Sequence, residues 1–222
     1  MSRDKDLLTQ LLTGAALIRK IDESVARARR NRKEMAVICV EVNNTSELKK
    51  EFGHNGFEQV IYTMSARVRQ AVGAGANLVG RDSDNSFVVV LDSLKKSSVL
   101  RTMGLRLAVT VRRPFVINPM SNDPREFRAD IGVGVARISP GREMRGRRES
   151  HSTQMGGFDS FSLAQDALHE AAELALEARR FSSRAAIMDA YSRKTVPLES
   201  VDFLPKRVTR HGSLKATKKP AG

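Results

Sequence analysis

The sequence is poor in cysteine and in long apolar runs, and each shortage excludes a class of protein. Cys39 is the only cysteine among 222 residues, so the chain cannot form an internal disulfide framework. It lies in the apolar run MAVICVEV, where a lone thiol is typical of core packing. No apolar stretch approaches the roughly 20 residues that span a bilayer, and the N-terminus MSRDKDLL lacks the order of a secretory signal. These absences predict a cytoplasmic protein without a membrane span.

Motifs for metal and dinucleotide sites are also missing. The four histidines are scattered, with no Cys or acid at metal-ligand spacing, which predicts no zinc site. No GxxxxGK phosphate loop occurs, and the GVG at 132–134 is better explained by a helix that packs closely on a strand than by a dinucleotide fingerprint. Only 5% of the residues are aromatic, which argues against the stacking of single-stranded nucleic acid.

What the sequence has in excess is basic charge, with a formal net charge of +13. Residues 191–222 contain eight basic and two acidic residues, and residues 140–150 contain four basic and two acidic ones. The mixture of Lys with Gly, Ser, Thr and Pro predicts a disordered basic tail over 192–222, following a domain at 1–191. Such a tail either contacts an anionic polymer or surface or is simply solvated, and we favour solvation. The basic run RRNRK at 29–33 is interpreted as a solvated helix end.

Hydrophobic periodicity alternates between helices and strands along most of the chain. Helices are predicted over 7–33, over 48–72 with an interruption near Gly53 and Gly56, over 93–113 with Asp92 or Ser93 as N-cap, and over 163–178. Strands are predicted over 35–42, 77–81, 86–91, 114–118, 127–138 and 184–191. Residues 139–160 lack any period and predict a long loop. This order predicts an α/β (α+β) fold, in which helices pack on a central mixed, largely antiparallel sheet.

A polar segment, DSDNS at 82–86, joins two of the predicted strands. The pattern D-x-D-x-[DN] also opens a calcium-binding EF-hand loop, but Phe87 stands where that loop needs Gly and Ser93 where it needs Glu. Without the calcium interpretation, the segment is a hairpin turn whose role depends on its surroundings.

Several segments in order resemble the GGDEF family, the catalytic domains of diguanylate cyclases that condense two GTP into cyclic di-GMP. They are DLLTQL at 6–11, the strand and helix at 36–61 with the pair Gly53-His54, RDSDNSF at 81–87, DIGVGVA at 130–136 and AELALEARR at 172–180. The resemblance covers about residues 6–190 and implies the nucleotidyl-cyclase-like palm fold. It also identifies 81–87 as the signature hairpin, which in the family reads R-Y-G-G-D/E-E-F.

The resemblance implies two divalent ions, held by a carboxylate at the end of the first long strand and by another in the signature turn. These positions are Glu41, one methylene longer than the usual Asp, and Asn85, whose amide brings no charge; both are weak metal ligands. Mg²⁺ is therefore expected only if GTP is bound. The degenerate signature as a whole is Ser83, Asp84, Asn85, Ser86 and Phe87: it lacks both acids and both glycines.

The resemblance also implies that nucleotide contacts are partly lost. Lys49 and Glu58 replace the family's base-binding Asn and Asp, and Phe57 replaces a Gly next to them. Arg180 and Arg184 fall on the phosphate-contacting positions, although basic residues at a helix C-terminus explain them equally well. The product-inhibition motif R-x-x-D reads Ala-Gly-Ala-Asn at 74–77 and is absent. If a nucleotide binds, its predicted contacts are Asn44, Thr45, Lys49, Glu58, Arg180 and Arg184.

Three functions remain open from the sequence. The first is a catalytically inactive or impaired GGDEF domain that acts as a signalling or regulatory interaction module, with a protein partner, another GGDEF domain or a second copy, and with GTP as an optional ligand. The second is a working cyclase that uses Glu41 and a single metal ion. The third is the binding of an anionic polymer through the basic tail, although nucleic acid is not an expected partner of the domain.

Overall fold

The computed structural model describes residues 4–73, 78–94, 97–118, 124–139, 160–189 and 193–200. The elements in chain order are β1 (Leu12–Thr13), α1 (Gly14–Arg30), β2 (Glu34–Val42), α2 (Thr45–Val72), β3 (Leu78–Arg81), β4 (Ser86–Leu94), α3 (Ser97–Val111), β5 (Phe115–Ile117), β6 (Arg125–Phe127), β7 (Ile131–Ile138), α4 (Ser160–Glu177), β8 (Ala185–Met188) and β9 (Thr195–Pro197). Short 3₁₀ turns follow α4 at Ala178–Arg180 and β9 at Leu198–Ser200.

Strand β2 lies at the centre of a seven-stranded sheet with the order β1-β3-β4-β2-β7-β8-β9. It runs antiparallel to both of its neighbours, β4 and β7. Among the strands of the described ranges, only the pairs β1–β3 and β7–β8 are parallel, while β5 and β6 form a separate antiparallel hairpin. The predicted fold class, a mixed and largely antiparallel sheet with packed helices, is confirmed.

Helices cover both faces of this sheet, which explains why β2 is apolar at nearly every position. Alternate residues of β2 such as Ile38 and Val40 pack with residues of α2 and α3, while Val37 and Cys39 pack with residues of α1 and α4. A strand buried on both faces has no solvent side that would require polar residues. Each buried aliphatic side chain stabilises the fold by about 1.5–3 kcal/mol.

The GVG segment lies in β7, directly beneath α4. A Cβ atom built on Gly132 would lie 1.8 Å from the carbonyl oxygen of Ala175, and one built on Gly134 would lie 2.0 Å from that of Ala171. Helix and strand are therefore in backbone contact, and no larger residue fits between them. The explanation of these glycines by close helix packing is confirmed.

The predicted interruption of the second helix is also present. Gly53 has a φ of 69°, outside the helical range, and divides α2 into a short first segment and a longer second one. A left-handed φ is easily adopted by Gly because it has no Cβ.

The first helix begins later than the predicted residue 7. The Asp6 carboxylate accepts a hydrogen bond from the backbone N–H of Thr9 at 2.7 Å, and Gln10 adopts a left-handed φ of 58°. An Asp side chain that captures a nearby backbone N–H favours a turn over a helix. Residues 7–9 therefore form a turn, Leu12–Thr13 pairs with β3, and α1 begins at Gly14.

The third helix also begins later than predicted, because β4 continues to Leu94. Neither Asp92 nor Ser93 caps α3, since both lie in the strand. The Asp92 carboxylate instead accepts a hydrogen bond from Nε of Arg27 in α1 at 3.1 Å. The strand predicted over 127–138 is likewise divided, with residues 128–130 connecting β6 to β7.

The domain continues beyond its predicted end at residue 191. Strand β9 pairs antiparallel with β8, and Leu198 is fully buried close to Gly104 of α3. The first residues assigned to the tail thus belong to the folded domain, at least to Ser200. Most of the predicted 139–160 loop and the sequence after residue 200 lie outside the described residues. No helix in the described ranges is long and apolar enough to cross a membrane.

Candidate functional site

The candidate site lies where β2 ends and where β4 and β7 begin. The register places Glu41 of β2 between Ser86 of β4 and Gly132 of β7. Because β2 is antiparallel to both neighbours, the turn at 82–85 and Asp130 reach the same edge of the sheet as Glu41. We call this edge the signature end.

Asn85 is the turn residue that contacts Glu41. Its Nδ2 donates a hydrogen bond to the carbonyl of Val42 at 2.8 Å and lies 3.3 Å from Oε1 of Glu41. Its Oδ1 accepts a hydrogen bond from the hydroxyl of Ser83 at 3.0 Å. A carbonyl can only accept a hydrogen bond, so the contact with Val42 fixes which amide atom points inward. An N–H group, and not an oxygen lone pair, therefore faces the Glu41 carboxylate.

Glu41 itself is half-buried. Burial raises the pKa of its carboxyl above the usual value, the hydrogen bond from Asn85 opposes this rise, and the charge of Asp82 adds to it. Burial also raises the pKa of the Asp82 carboxyl. Both carboxyls thus hold their protons to higher pH than free side chains do.

The residues at this end do not fit a pair of divalent cations. Mg²⁺ requires oxygen ligands in an octahedral arrangement, usually with one or two carboxylates. The inward amide group of Asn85 is a donor, and its oxygen is already hydrogen-bonded to Ser83. Across the described ranges, no group of three or more His, Cys, Asp or Glu side chains could hold a metal ion. The signature end thus lacks the set of oxygen ligands that a pair of divalent cations needs.

Ser86 stands at the second acidic position of the signature and points into the protein interior. Its side chain is 5% exposed, and its hydroxyl lies 3.2 Å from Sγ of Cys39. Burial raises the pKa of the Cys39 thiol to about 12, so this thiol stays protonated and inert. In this environment Ser86 is a buried packing residue with a hydrogen-bond partner.

Arg81 holds the signature turn to the N-terminal segment. Its guanidinium donates hydrogen bonds to the carbonyls of Ser83 at 3.1 Å and Asp84 at 2.8 Å. It also forms a 2.8 Å ion pair with Asp6. Burial alone would raise the pKa of Asp6, but hydrogen bonds from Thr9 and Arg81 outweigh it and lower the pKa. Sequence reasoning missed this contact, although Arg81 and Asp6 both belong to segments that carry the family resemblance.

The residues at the predicted base-binding positions, Lys49 and Glu58, each contact a neighbouring side chain of α2. Nζ of Lys49 lies 4.3 Å from the ring centroid of Phe57, a cation–π contact, and Phe57 is only 4% exposed. Glu58 lies 3.3 Å from Nε2 of His54. Phe57 thus occupies interior space beside Lys49.

Asn44 and Thr45 lie at the start of α2. Oδ1 of Asn44 accepts a hydrogen bond from the backbone N–H of Asp130 at 2.8 Å, and its Nδ2 donates to Glu47 at 3.3 Å. Thr45 is the first residue of the helix. Asn44 therefore links α2 to the start of β7, and both of its polar atoms already have protein partners.

Two arginines converge on Asp130, and one of them was not predicted. Nε of Arg179 lies 2.7 Å from the Asp130 carboxylate, and Arg184 lies 3.3 Å from it. Arg180 is exposed and makes no ion pair with any residue in the described ranges. The 3₁₀ turn that ends α4 decides which of the two adjacent arginines faces the site, and helical periodicity gave no signal for it.

Comparisons with known proteins agree with this geometry. Residues 3–147 match the family model described as diguanylate cyclase, GGDEF domain. A diguanylate cyclase of Vibrio cholerae serotype O1 is 26% identical over 128 residues, and the match covers 58% of this chain but 38% of that protein. This chain thus matches well under half the length of that relative.

Solved structures share the fold at low identity. The FimX GGDEF domain of Pseudomonas aeruginosa superposes with a TM-score of 0.65 at 20% identity, over 84% of this chain and 99% of that one. The diguanylate cyclase SiaD of the same species, solved in complex with its activator SiaC, gives a TM-score of 0.57 at 17% identity, over 76% of this chain and 58% of that one. The signature end of this chain therefore lies within a fold that these solved GGDEF structures share.

Proposed function

Because the chain belongs to the GGDEF family of diguanylate cyclase domains, we propose that it is a member without cyclase activity that regulates cyclic di-GMP signalling through binding. One observation carries this proposal. The amide N–H of Asn85 faces the Glu41 carboxylate, where cyclase chemistry would require a cation between two oxygen ligands. A hydrogen bond thus takes the place of the metal contact.

The expected loss of rate is large. Phosphoryl transfer depends on cations that neutralise the charge developing around the phosphorus. Each electrostatic group at such a site is commonly worth about 10²-fold or more in rate. The chain lacks the acids at Asn85 and Ser86, and Asp84 adds a negative charge to the turn. These changes combine to remove synthesis at any measurable rate.

Nucleotide sensing is the optional part of the proposal. Arg184 stands at a phosphate-contacting position of the family pattern, and both Arg184 and Arg179 already pair with Asp130. An incoming phosphate would compete with this carboxylate for them. GTP binding is therefore expected to be weak and to depend on Asp130.

The main ligand in this proposal is a protein. The solved SiaD structure contains an activator protein bound to a diguanylate cyclase, which supports protein recognition by relatives with this fold. For this chain we propose a protein partner, either a separate regulator or another GGDEF domain, with a second copy included.

The direct test measures cyclic di-GMP after incubation of the purified chain with GTP and Mg²⁺, beside an active GGDEF domain with an intact signature. No product is expected from this chain, nor from the double variant Asn85→Asp, Ser86→Glu, which still lacks the glycines of the turn. Product from the unmodified chain would refute the proposal and favour a working cyclase. Calorimetric titration with GTP, GDP and cyclic di-GMP, repeated on Asp130→Ala, tests the sensing part separately.

A further inference from the structure

The edge of the sheet opposite the signature end carries a group of exposed cations. Strand β2 begins at this edge, and β4 and β7 end there. The turn from α1 to β2 brings Arg29, Arg30, Arg32 and Lys33 to it, the turn from β8 to β9 brings Arg193, and Val99 lies in the first turn of α3. We call these six residues the basic end.

Two acids near the basic end are already paired with other cations. Glu34, at the start of β2, forms an ion pair with Arg137, and Asp92, near the end of β4, forms one with Arg27. The four cations of the α1–β2 turn are exposed, and within the part of the chain that the structure describes none of them has an acidic partner. Their positive charge is therefore available to an external anion.

Backbone hydrogen bonds fix the turn that presents these cations. The N–H of Arg32 donates to the carbonyl of Arg29 at 3.1 Å, and the N–H of Lys33 donates to that of Ala28 at 2.9 Å. Arg32 and Arg193 adopt left-handed φ values of 50° and 54°, a conformation for which Gly or Asn is better suited. The four cations of the α1–β2 turn thus project from a hydrogen-bonded turn, and little backbone freedom is lost when they bind.

We propose that the basic end docks on the surface of an anionic lipid bilayer. Juxtaposed cations are attracted to the anionic lipids of such a surface. Val99 is an apolar side chain that is 42% exposed at the same edge, and it can enter the headgroup region as the cations meet lipid phosphates. The basic end contains no aromatic side chain on which bases could stack, which favours lipid over single-stranded nucleic acid. Docking through this edge leaves the signature end facing away from the membrane.

The test compares variants of the whole 222-residue chain in sedimentation with vesicles of phosphatidylcholine, with and without phosphatidylserine, at low and at moderate salt. The first variant is Arg29→Gln, Arg30→Gln, Arg32→Asn, Lys33→Gln, with Asn chosen because it tolerates the left-handed conformation. A matched control neutralises four exposed cations near the signature end: Lys50, Arg112, Arg113 and Arg128. The basic tail is present in every variant, so it does not account for differences between them.

The wild-type chain is expected to bind only the vesicles with phosphatidylserine, and less at higher salt. A cation near such a surface is worth about fivefold in partitioning, so the first variant, which loses four, should bind about 600-fold more weakly and the control less than tenfold more weakly. Val99→Ser should weaken vesicle binding about threefold without changing binding to a DNA duplex. Equal losses in the two charge variants, tighter binding to the duplex than to vesicles, or no vesicle binding at low salt would each overturn the proposal. Unchanged thermal melting of each variant verifies that it is folded.

Discussion

Replacing Asn85 by Asp should change the contact between residue 85 and Glu41 from a hydrogen bond into one that needs a bound metal ion. In the wild type the amide donates to Val42 and faces Glu41. A carboxylate in its place would lose both donors and bring a second negative charge against Glu41. The variant should therefore be less stable than the wild type when no divalent cation is present.

The size of this loss follows from the contacts. Two hydrogen bonds contribute about 1 kcal/mol each, and repulsion between two partly exposed carboxylates, reduced by solvent screening, adds about 1 kcal/mol. The sum is about 3 kcal/mol, which lowers the melting temperature by roughly 6–12 °C for a chain of this size. Mg²⁺ at about 100 times its dissociation constant would restore about 2.7 kcal/mol.

Acid should also restore the Asn85→Asp variant. The pKa of Glu41 is already raised in the wild type, and a neighbouring carboxylate raises it further. A carboxyl with a higher pKa in the folded state favours folding at low pH and loses this contribution as the pH rises through the folded pKa. The stability deficit should therefore shrink as the pH falls from neutral towards the unfolded pKa of Glu.

The assay measures thermal melting by circular dichroism. Each protein is melted in the presence of a chelator, in the presence of Mg²⁺, and at a series of pH values. Asn85→Ala is the matched control, because it loses the same hydrogen bonds without adding a charge. It should respond to Mg²⁺ no more than the wild type does, and to acid less than Asn85→Asp does, because only the loss of the hydrogen bond raises the pKa of its Glu41. If Asn85→Asp melts at the wild-type temperature in chelator, the contact between Asn85 and Glu41 does not hold the turn as described. If Mg²⁺ stabilises the Ala variant equally, the ion binds elsewhere.

Three further substitutions test the framework around the site. Gly134→Ala would place a Cβ 2.0 Å from the backbone oxygen of Ala171 and should cost about 3 kcal/mol in urea unfolding, because the helix must move. Asp6→Asn removes the ion pair with Arg81. Because solvent screens this partly exposed pair, the loss should lower the free energy of unfolding by about 1 kcal/mol at neutral pH. The pKa of Asp6 is lower in the folded state than in the unfolded state. Ionised Asp6 therefore stabilises the fold above its unfolded pKa, and this stabilisation is lost as the pH falls through its folded pKa. The difference in stability between the wild type and Asp6→Asn should vanish in acid. Leu198→Ala should cost about 2–5 kcal/mol; an unchanged stability would show that the segment after β8 is not part of the core.

The sequence predicted the central architecture because its signals were local and strong. The apolar run of β2 and the interruption at Gly53 both reflect the chemistry of consecutive residues, and both appear in the structure where they were expected. The start of α1 was missed because its leucines follow a helical period, whereas one Asp6 side chain redirects the backbone. The strand β9 is too short to give a periodic signal, and its pairing with β8 is a tertiary effect.

The family pattern named candidate residues for the site, but it did not give the contacts between them. Sequence comparison with the family pattern found the missing acids at Asn85 and Ser86. It could not show that the Asn85 amide points its N–H at Glu41, because amide orientation depends on the carbonyl of Val42 across the strand pair. The choice of Arg179 over Arg180 likewise depends on how the last turn of α4 tightens.

The central position of β2 also determines when the chain can fold. Its partner β7 is 89 residues away at the Val42–Ile131 pair and 103 residues away at the Met35–Ile138 pair. Contacts between such distant residues close long loops and form slowly. During synthesis, β2 therefore has one open, apolar edge until residue 138 has left the ribosome, and an open strand edge is prone to pair with other chains. Fragments that end before β7 should aggregate, and the yield of the complete domain should depend on how quickly β7 reaches its place.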